Sequence, residues 1–321
     1  MTVQDDSDAA GKPLVVGIGE ALYDCYPTHQ VLGGAPLNVA VHASAILGAG
    51  SSAVAVTRVG VDELGDRLIA ELAHLGVSTE YVQRDGRLPT GRVEVSIDAA
   101  GQADYRFDEP SAWDSIVFDD SLRRLSKRCD AVTFGTLSQR ATTTRATVKA
   151  FAASATQALR LFDANLRQQY YNGDVIDESL RLASAAKFND AELLKTCELL
   201  ELGDPNEHTG DELANRLADI YRLDWIAVTH GKDGVALYAD GRKHVGVTHR
   251  LTPIEGADTV GAGDACCAAL VCGFLRKWPI ERTLRMANAV GAFVASQPGA
   301  TPRLPEPLLG WAVSPYSDTT V

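Results

Sequence analysis

Residues 258–270 read DTVGAGDACCAAL. A glycine-rich turn, Gly261-Ala262-Gly263, carries one carboxylate, Asp264, and runs straight into an apolar segment, ACCAALVCGFL at 265–275. Glycine lets a backbone approach a ligand closely and adopt positive φ. The apolar segment reads as a helix, and the first N–H groups of a helix lack intrahelical partners and sit at the positive end of its dipole. Gly261, Ala262 and Gly263 therefore offer an anion hole. A carboxylate beside an anion site repels the ligand, so Asp264 needs a purpose. When a phosphoryl group passes to an alcohol, the hydroxyl sheds its proton as the P–O bond forms, and an ionised Asp can accept that proton and orient the oxygen. The plainer reading is an aspartate that caps a helix. The loop alone leaves both open.

Neighbouring possibilities fall away on spacing. G-x-G-x-x-G is broken at Cys266 in this loop and at Leu22 in GIGEAL (17–22), and G-x-x-x-x-G-K-[ST] does not occur. The chain of 321 residues carries a net charge of −12, which argues against a nucleic-acid partner, since polyphosphate binding needs a basic footprint. Its six cysteines form no C-x-x-C pair, and no histidine spacing suggests zinc. Cys266, Cys267 and Cys272 read as small core residues, the usage of a reducing cytoplasm. The acidic start MTVQDDSDAAGK lacks a signal-peptide pattern and reads as a tail over 1–12. No apolar run approaches the roughly 20 residues that span a bilayer. These features predict a cytoplasmic protein with no membrane partner.

Outward from the loop, strand and helix patterns alternate. Strands are expected at 14–22, 53–60, 131–137, 159–165 and 225–231, and helices at 35–48, 62–76, around 141–157, 174–186 and 209–221. Such alternation argues for a parallel sheet covered on both faces. Residues 91–109 instead alternate with period two on both sides of DAAG (98–101), a hairpin pattern with no helix. With YDCYPTHQVL (23–32) it would form a small β flap. The expected organisation is one α/β domain over 1–321, with a lid from about 22–34 and 88–110.

Residues 258–271 fill every position of the C-terminal signature of the PfkB, or ribokinase-like, carbohydrate kinase family, and the chain resembles that family over nearly its whole length. RVGVDELGDRL (58–68), DANLR (163–167), FNDAE (188–192), VTHGKDG (228–234) and GATPRLP (299–305) follow in the family's order, and GGAP with DANLR most resembles the fructokinase-like branch. The resemblance implies a three-layer α/β/α fold with a mainly parallel sheet and a small β lid. It makes Asp264 the catalytic base, with the 261–263 amides as the anion hole. GEALYD (19–24) and LGGAPLNVA (32–40) look like the sugar-binding start, so Asp24, Gly33, Gly34 and Asn38 become acceptor contacts. Asn165 and Arg167 follow a strand and join them. Asn189 and Glu192 match an N-x-x-E element tied to Mg²⁺ and phosphates, often through water. Thr229, Gly231, Gly234 and Asn288 would face ATP. In this family K⁺ is common near the loop, and lids often pair between subunits, which implies a homodimer. The expected reaction is ATP-dependent phosphorylation of a sugar, fructose to fructose 6-phosphate foremost. 2-Keto-3-deoxygluconate kinase, ribokinase, nucleoside kinase and a non-catalytic binding regulator are the alternatives.

Overall fold

The computed structural model describes residues 13–48, 53–97, 103–204 and 207–313. The expected tail at 1–12 and the hairpin turn at 98–101 lie outside these residues. The chain runs through β1 (Val15–Ile18), β2 (Leu22–Cys25), β3 (Gln30–Gly33), α1 (Ala35–Leu47), β4 (Ala53–Gly60), α2 (Glu63–His74), β5 (Val82–Asp85), β6 (Gly91–Ile97), β7 (Ala103–Phe107) and α3 (Asp120–Ser126). It continues through β8 (Ala131–Phe134), α4 (Thr142–Ser154), β9 (Leu159–Asp163), α5 (Gly173–Leu182), β10 (Ala185–Asn189), α6 (Asp190–Leu199) and α7 (Gly210–Tyr221). The last elements are β11 (Trp225–Thr229), β12 (Val235–Ala239), β13 (Arg242–Val245), α8 (Ala262–Leu275), α9 (Ile280–Val294) and α10 (Glu306–Val313).

Among the described residues, nine strands form the main sheet in the order β13-β12-β11-β10-β9-β8-β1-β4-β5. Every pairing from β11 to β5 is parallel, because helices or long connections return the chain each time. The β11–β12 and β12–β13 pairs are antiparallel. β12 and β13 are joined by Asp240-Gly241, both at positive φ, the conformation that a tight two-residue hairpin turn demands. The sequence reading had no strand at β5, β10, β12 or β13. It also carried a helix to 186, whereas α5 stops at Leu182 and β10 starts at Ala185.

Period-two alternation sorts the strand residues between two layers. Val15, Ala131, Leu161, Ala185 and Trp225 pack with α1, α8, α9 and α10. Val16, Val132, Phe162, Ala186 and Ile226 pack on the other face with α3 to α7. α2 packs on β4 through Leu68 and Leu72. The result is the three-layer α/β/α fold expected from the sequence, with a mainly parallel sheet.

α8 lies between α1 and α9, and every residue from Ala265 to Gly273 is buried. A helix apolar on all sides belongs in a core. Cys266, Cys267 and Cys272 fill it as small neutral groups, and burial pushes the Cys266 thiol up to about 12. A second sheet of four strands, in the order β3-β2-β6-β7, stands off the main one and forms the lid, with its own small core of Leu22 and Val93 against Tyr26 and Phe107.

Leu270, fully buried in α8, gives a direct test of this packing. Leu270→Ala should cost about 2–5 kcal/mol of unfolding free energy in a denaturant titration. A change below about 1 kcal/mol would mean that α8 is not part of the core.

Candidate active site

A cleft of about 580 Å³ opens at the C-terminal ends of the parallel strands, below the lid. The strand order reverses its direction at β1, between β8 and β4, and open α/β sheets hold ligands at such a point. Asp24, Gly33, Gly34, Asn38, Asn165, Arg167, Asn189, Glu192, Thr229, Gly261, Gly263 and Asp264 all line this cleft. They come from segments spread across some 240 positions of the sequence. Ala262, Gly231, Gly234 and Asn288 lie outside the lining.

Gly261 begins α8 in the left-handed region, at φ 76°. A Cβ there would also stand 2.4 Å from the Ala300 carbonyl oxygen, so both conformation and space require glycine. Asp264 falls in the first turn of the helix, where the dipole favours negative charge. Its Oδ2 accepts a 2.8 Å hydrogen bond from Asn38 Nδ2 of α1. Burial, reinforced by Asp163, still pushes the Asp264 carboxyl up to about 6, against the pull of Asn38, Lys187 and Arg167. A carboxylate with that affinity can take a proton and release it near neutral pH. The Ala262 amide is directed at the Thr259 carbonyl, at 3.3 Å.

The other end of the cleft is rich in carboxyls. Asp24 leaves β2, and burial pushes it up to about 6 while Arg167 opposes the shift. Glu20, which the sequence reading passed over, is almost fully buried. Its Oε1 accepts from the Ala35 amide at 3.2 Å, its Oε2 has no partner, and burial pushes it up to about 7. Gly34 stands at φ 115°, where a Cβ would lie 2.4 Å from the Glu20 carbonyl oxygen. Phe107 brings the lid into the lining and packs edge-on against Tyr170, whose hydroxyl donates to the Glu109 carboxylate. Asn165, at φ 41°, turns the chain sharply after β9 and leaves Arg167 exposed at the rim.

Between these ends lies a charge that the sequence reading also missed. Lys187 of β10 is buried, and its Nζ donates to both oxygens of Asp163 at 2.9 and 3.1 Å. Burial is the largest single influence and opposes its charge, but Asp163, Cys267, Glu192 and Cys266 together outweigh it and hold the pKa above the usual lysine value. The Nζ also lies 3.5 Å from where a Gly263 Cβ would stand, so this cation adjoins the start of α8.

Asn189 and Glu192 form a reciprocal cap on α6. Asn189 Oδ1 accepts from the Glu192 amide, and Glu192 Oε2 accepts from the Asn189 amide. Glu192 Oε1 also accepts from the Leu166 amide. Each Glu192 oxygen thus keeps a lone pair for a water molecule. Among the described residues, no group of three or more His, Cys, Asp or Glu side chains is set to hold a metal ion directly. A Mg²⁺ carried by phosphates and water fits such a site, because it needs few protein ligands. Asn288 is spent elsewhere: its Oδ1 accepts from the Val235 amide and its Nδ2 donates to the Val247 carbonyl, tying α9 to the antiparallel edge of the sheet.

Comparison with known proteins agrees with this geometry. The family model described as pfkB family carbohydrate kinase matches residues 15–307. Fructokinase-1 of Zea mays is 30% identical, over 92% of this chain and 96% of that protein. The fold resembles a fructokinase of Xylella fastidiosa solved with bound ATP, with a TM-score of 0.80 at 23% identity, covering 94% of this chain and 98% of that one. It also resembles an uncharacterized sugar kinase of Pyrococcus horikoshii in complex with ATP, with a TM-score of 0.74 at 25% identity, covering 89% and 96%. The chain is an ATP-dependent carbohydrate kinase of the pfkB family.

Proposed function

We propose that this kinase transfers the γ-phosphoryl group of ATP to the primary 6-hydroxyl of fructose. The observation that carries the reading is the carboxylate of Asp264 in the first turn of α8, held by Asn38 and raised to a proton affinity near neutrality. Asp24, Asn38, Asn165 and Arg167 would bind the acceptor, with the backbone at Gly33 and Gly34 close enough to touch it. A sugar hydroxyl both donates and accepts, which suits the mix of carboxyls and amides at that end of the cleft. Fructokinase names among relatives of about 30% identity support fructose as the acceptor.

Asp264 would take the hydroxyl proton as the oxygen attacks. The amides at Gly261 and Gly263, the α8 dipole and Lys187 behind them would meet the charge on the transferring group. Ala262 joins only if its amide turns from Thr259 to the phosphate. Mg²⁺ would supply charge neutralisation of the nucleotide phosphates, with Glu192 and Asn189 holding its waters. Thr229, at the end of β11, would face the nucleotide, with Gly231 and Gly234 beyond the cleft wall. Closure of the lid, through Phe107, would exclude water from the phosphoryl group. A second reading, an acceptor that carries a carboxylate such as 2-keto-3-deoxygluconate, is favoured by the exposed guanidinium of Arg167 at the rim.

ADP release with ATP and Mg²⁺ across fructose, ribose, 2-keto-3-deoxygluconate and adenosine tests the acceptor. Turnover with fructose well above the rest is expected, and preference for the acid would move the assignment to the second reading. Asp264→Asn should keep the fold and ATP binding and lose about 10²–10⁴-fold in kcat. Near-wild-type turnover would remove Asp264 as the base. The base must be ionised to act, and its pKa is raised to about 6. The kcat/KM profile should therefore rise with pH through about 6 to a plateau, and a profile flat from pH 5 to 8 would contradict the assignment.

A further inference from the structure

α1 reaches the Gly261–Asp264 loop directly through Asn38 and indirectly through Ala300, and only the first of these links belongs to the site described above. Asn38 bonds to Asp264. One turn later on the same face, His42 points at Ala300: its Nε2 lies 2.9 Å from the carbonyl oxygen. A carbonyl only accepts, so Nε2 carries the proton. His42 is 1% exposed and sits in a helix that buries the apolar Val39, Ala43, Ile46 and Leu47 in the same layer. A leucine would fill that space without burying a polar ring.

The carbonyl His42 holds is the one on which the loop rests. Gly261 turns so tightly against Ala300 that a Cβ would come within 2.4 Å of its oxygen and 2.6 Å of its Cα. The segment before the loop is laced to the same strip of chain. The Ile254 amide donates to Ser296 O at 3.1 Å, the Asp258 amide to Gln297 O at 3.3 Å, and the Gly299 amide to Asp258 Oδ2 at 3.2 Å. Asp258 Oδ1 takes the Val260 amide as well. Residues 254–261 and 296–300 thus form one laced unit, and His42 fixes its far end to α1. α1 itself is pressed on β1 so closely that a Cβ at Gly17 would overlap the Pro36 carbonyl.

We propose that His42 is a positioning residue for phosphoryl transfer: by holding the Ala300 carbonyl, it sets the height of Gly261 and hence the distance between the 261–263 amides and Asp264. This inference rests on the reading of Asp264 as the base. Asn38 grips the loop at its carboxylate, and His42 braces its backbone through Ala300. The rigid body of α1 keeps the two grips in register.

The test compares His42→Gln, which keeps an N–H donor at similar reach, with His42→Leu, which keeps the volume and loses the donor. Kinetics are run with ATP, Mg²⁺ and fructose, or whichever panel sugar the wild type turns over. His42→Leu should lose about 10–100-fold in kcat with KM for both substrates within about threefold of wild type, and His42→Gln should recover most of the loss. Wild-type kcat in both folded variants would overturn the proposal, as would equal loss in both. Failure of both to fold would assign the imidazole to the core and overturn it too. Asp264→Asn is measured alongside. If it stays active, the base assignment falls and this inference with it. If it is dead while His42→Leu turns over normally, this inference alone falls.

Discussion

The Lys187–Asp163 pair is the interaction around which the cleft is organised. A buried ammonium is costly unless a partner and hydrogen bonds repay its desolvation, and here both carboxylate oxygens do so. Removing one member would strand the other, at about 3–5 kcal/mol for such a pair. The pair also fixes the field for its neighbours. Lys187 pulls down the proton affinities of Asp264 and Glu192, while Asp163 pushes them up. Because β9 and β10 are adjacent parallel strands, with Asp163 directly paired to Lys187 in the ladder, the geometry of this charge pair is set by the sheet.

That arrangement explains how so many carboxyls can share one cleft in an acidic protein. Glu20, Asp24 and Asp264 are each pushed up by burial, and the charge of Asp264 adds to the rise at Glu20 and Asp24. The folded state binds protons more tightly than the unfolded chain at these sites, so this cluster stabilises the fold less as pH rises from about 4 towards 7. The site therefore works against stability where it works for chemistry. Arg167 at the rim offsets part of the repulsion, and a bound acceptor that hydrogen-bonds to these groups would offset more.

The loop at 258–264 was legible because its chemistry is local: two glycines, an acid and a helix start, all within seven residues. The layers were legible for the same reason, since alternation along each strand is a short-range signal. Other parts depend on contacts far apart in sequence. Lys187 and Asp163 look like an ordinary lysine and aspartate until the sheet brings them together. Glu20 is hidden in a strand-end glycine turn, and His42 in a helix that reads as plain apolar packing. Asn288 shows the opposite limit. Its helix face was readable, but nothing local tells an amide that faces a ligand from one that ties down a strand end. The β12–β13 hairpin did carry a signal, Asp240-Gly241, masked because the flanking strand β13 is exposed and polar.

The two ends of the cleft stand on different foundations. The end proposed for phosphoryl transfer grows out of α8, whose body is the interior of one whole layer, so an alteration there is felt through α1, α9 and the sheet. The end proposed for the acceptor leans partly on the four-stranded lid, through Asp24, Gly33 and Phe107, and there Leu22 and Val93 with Tyr26 and Phe107 make up a separate small cluster. Natural variation can rework that cluster, and with it the shape offered to a sugar, while the machinery of transfer stays as it is. A fold divided in this way can diversify its substrates without relearning its reaction.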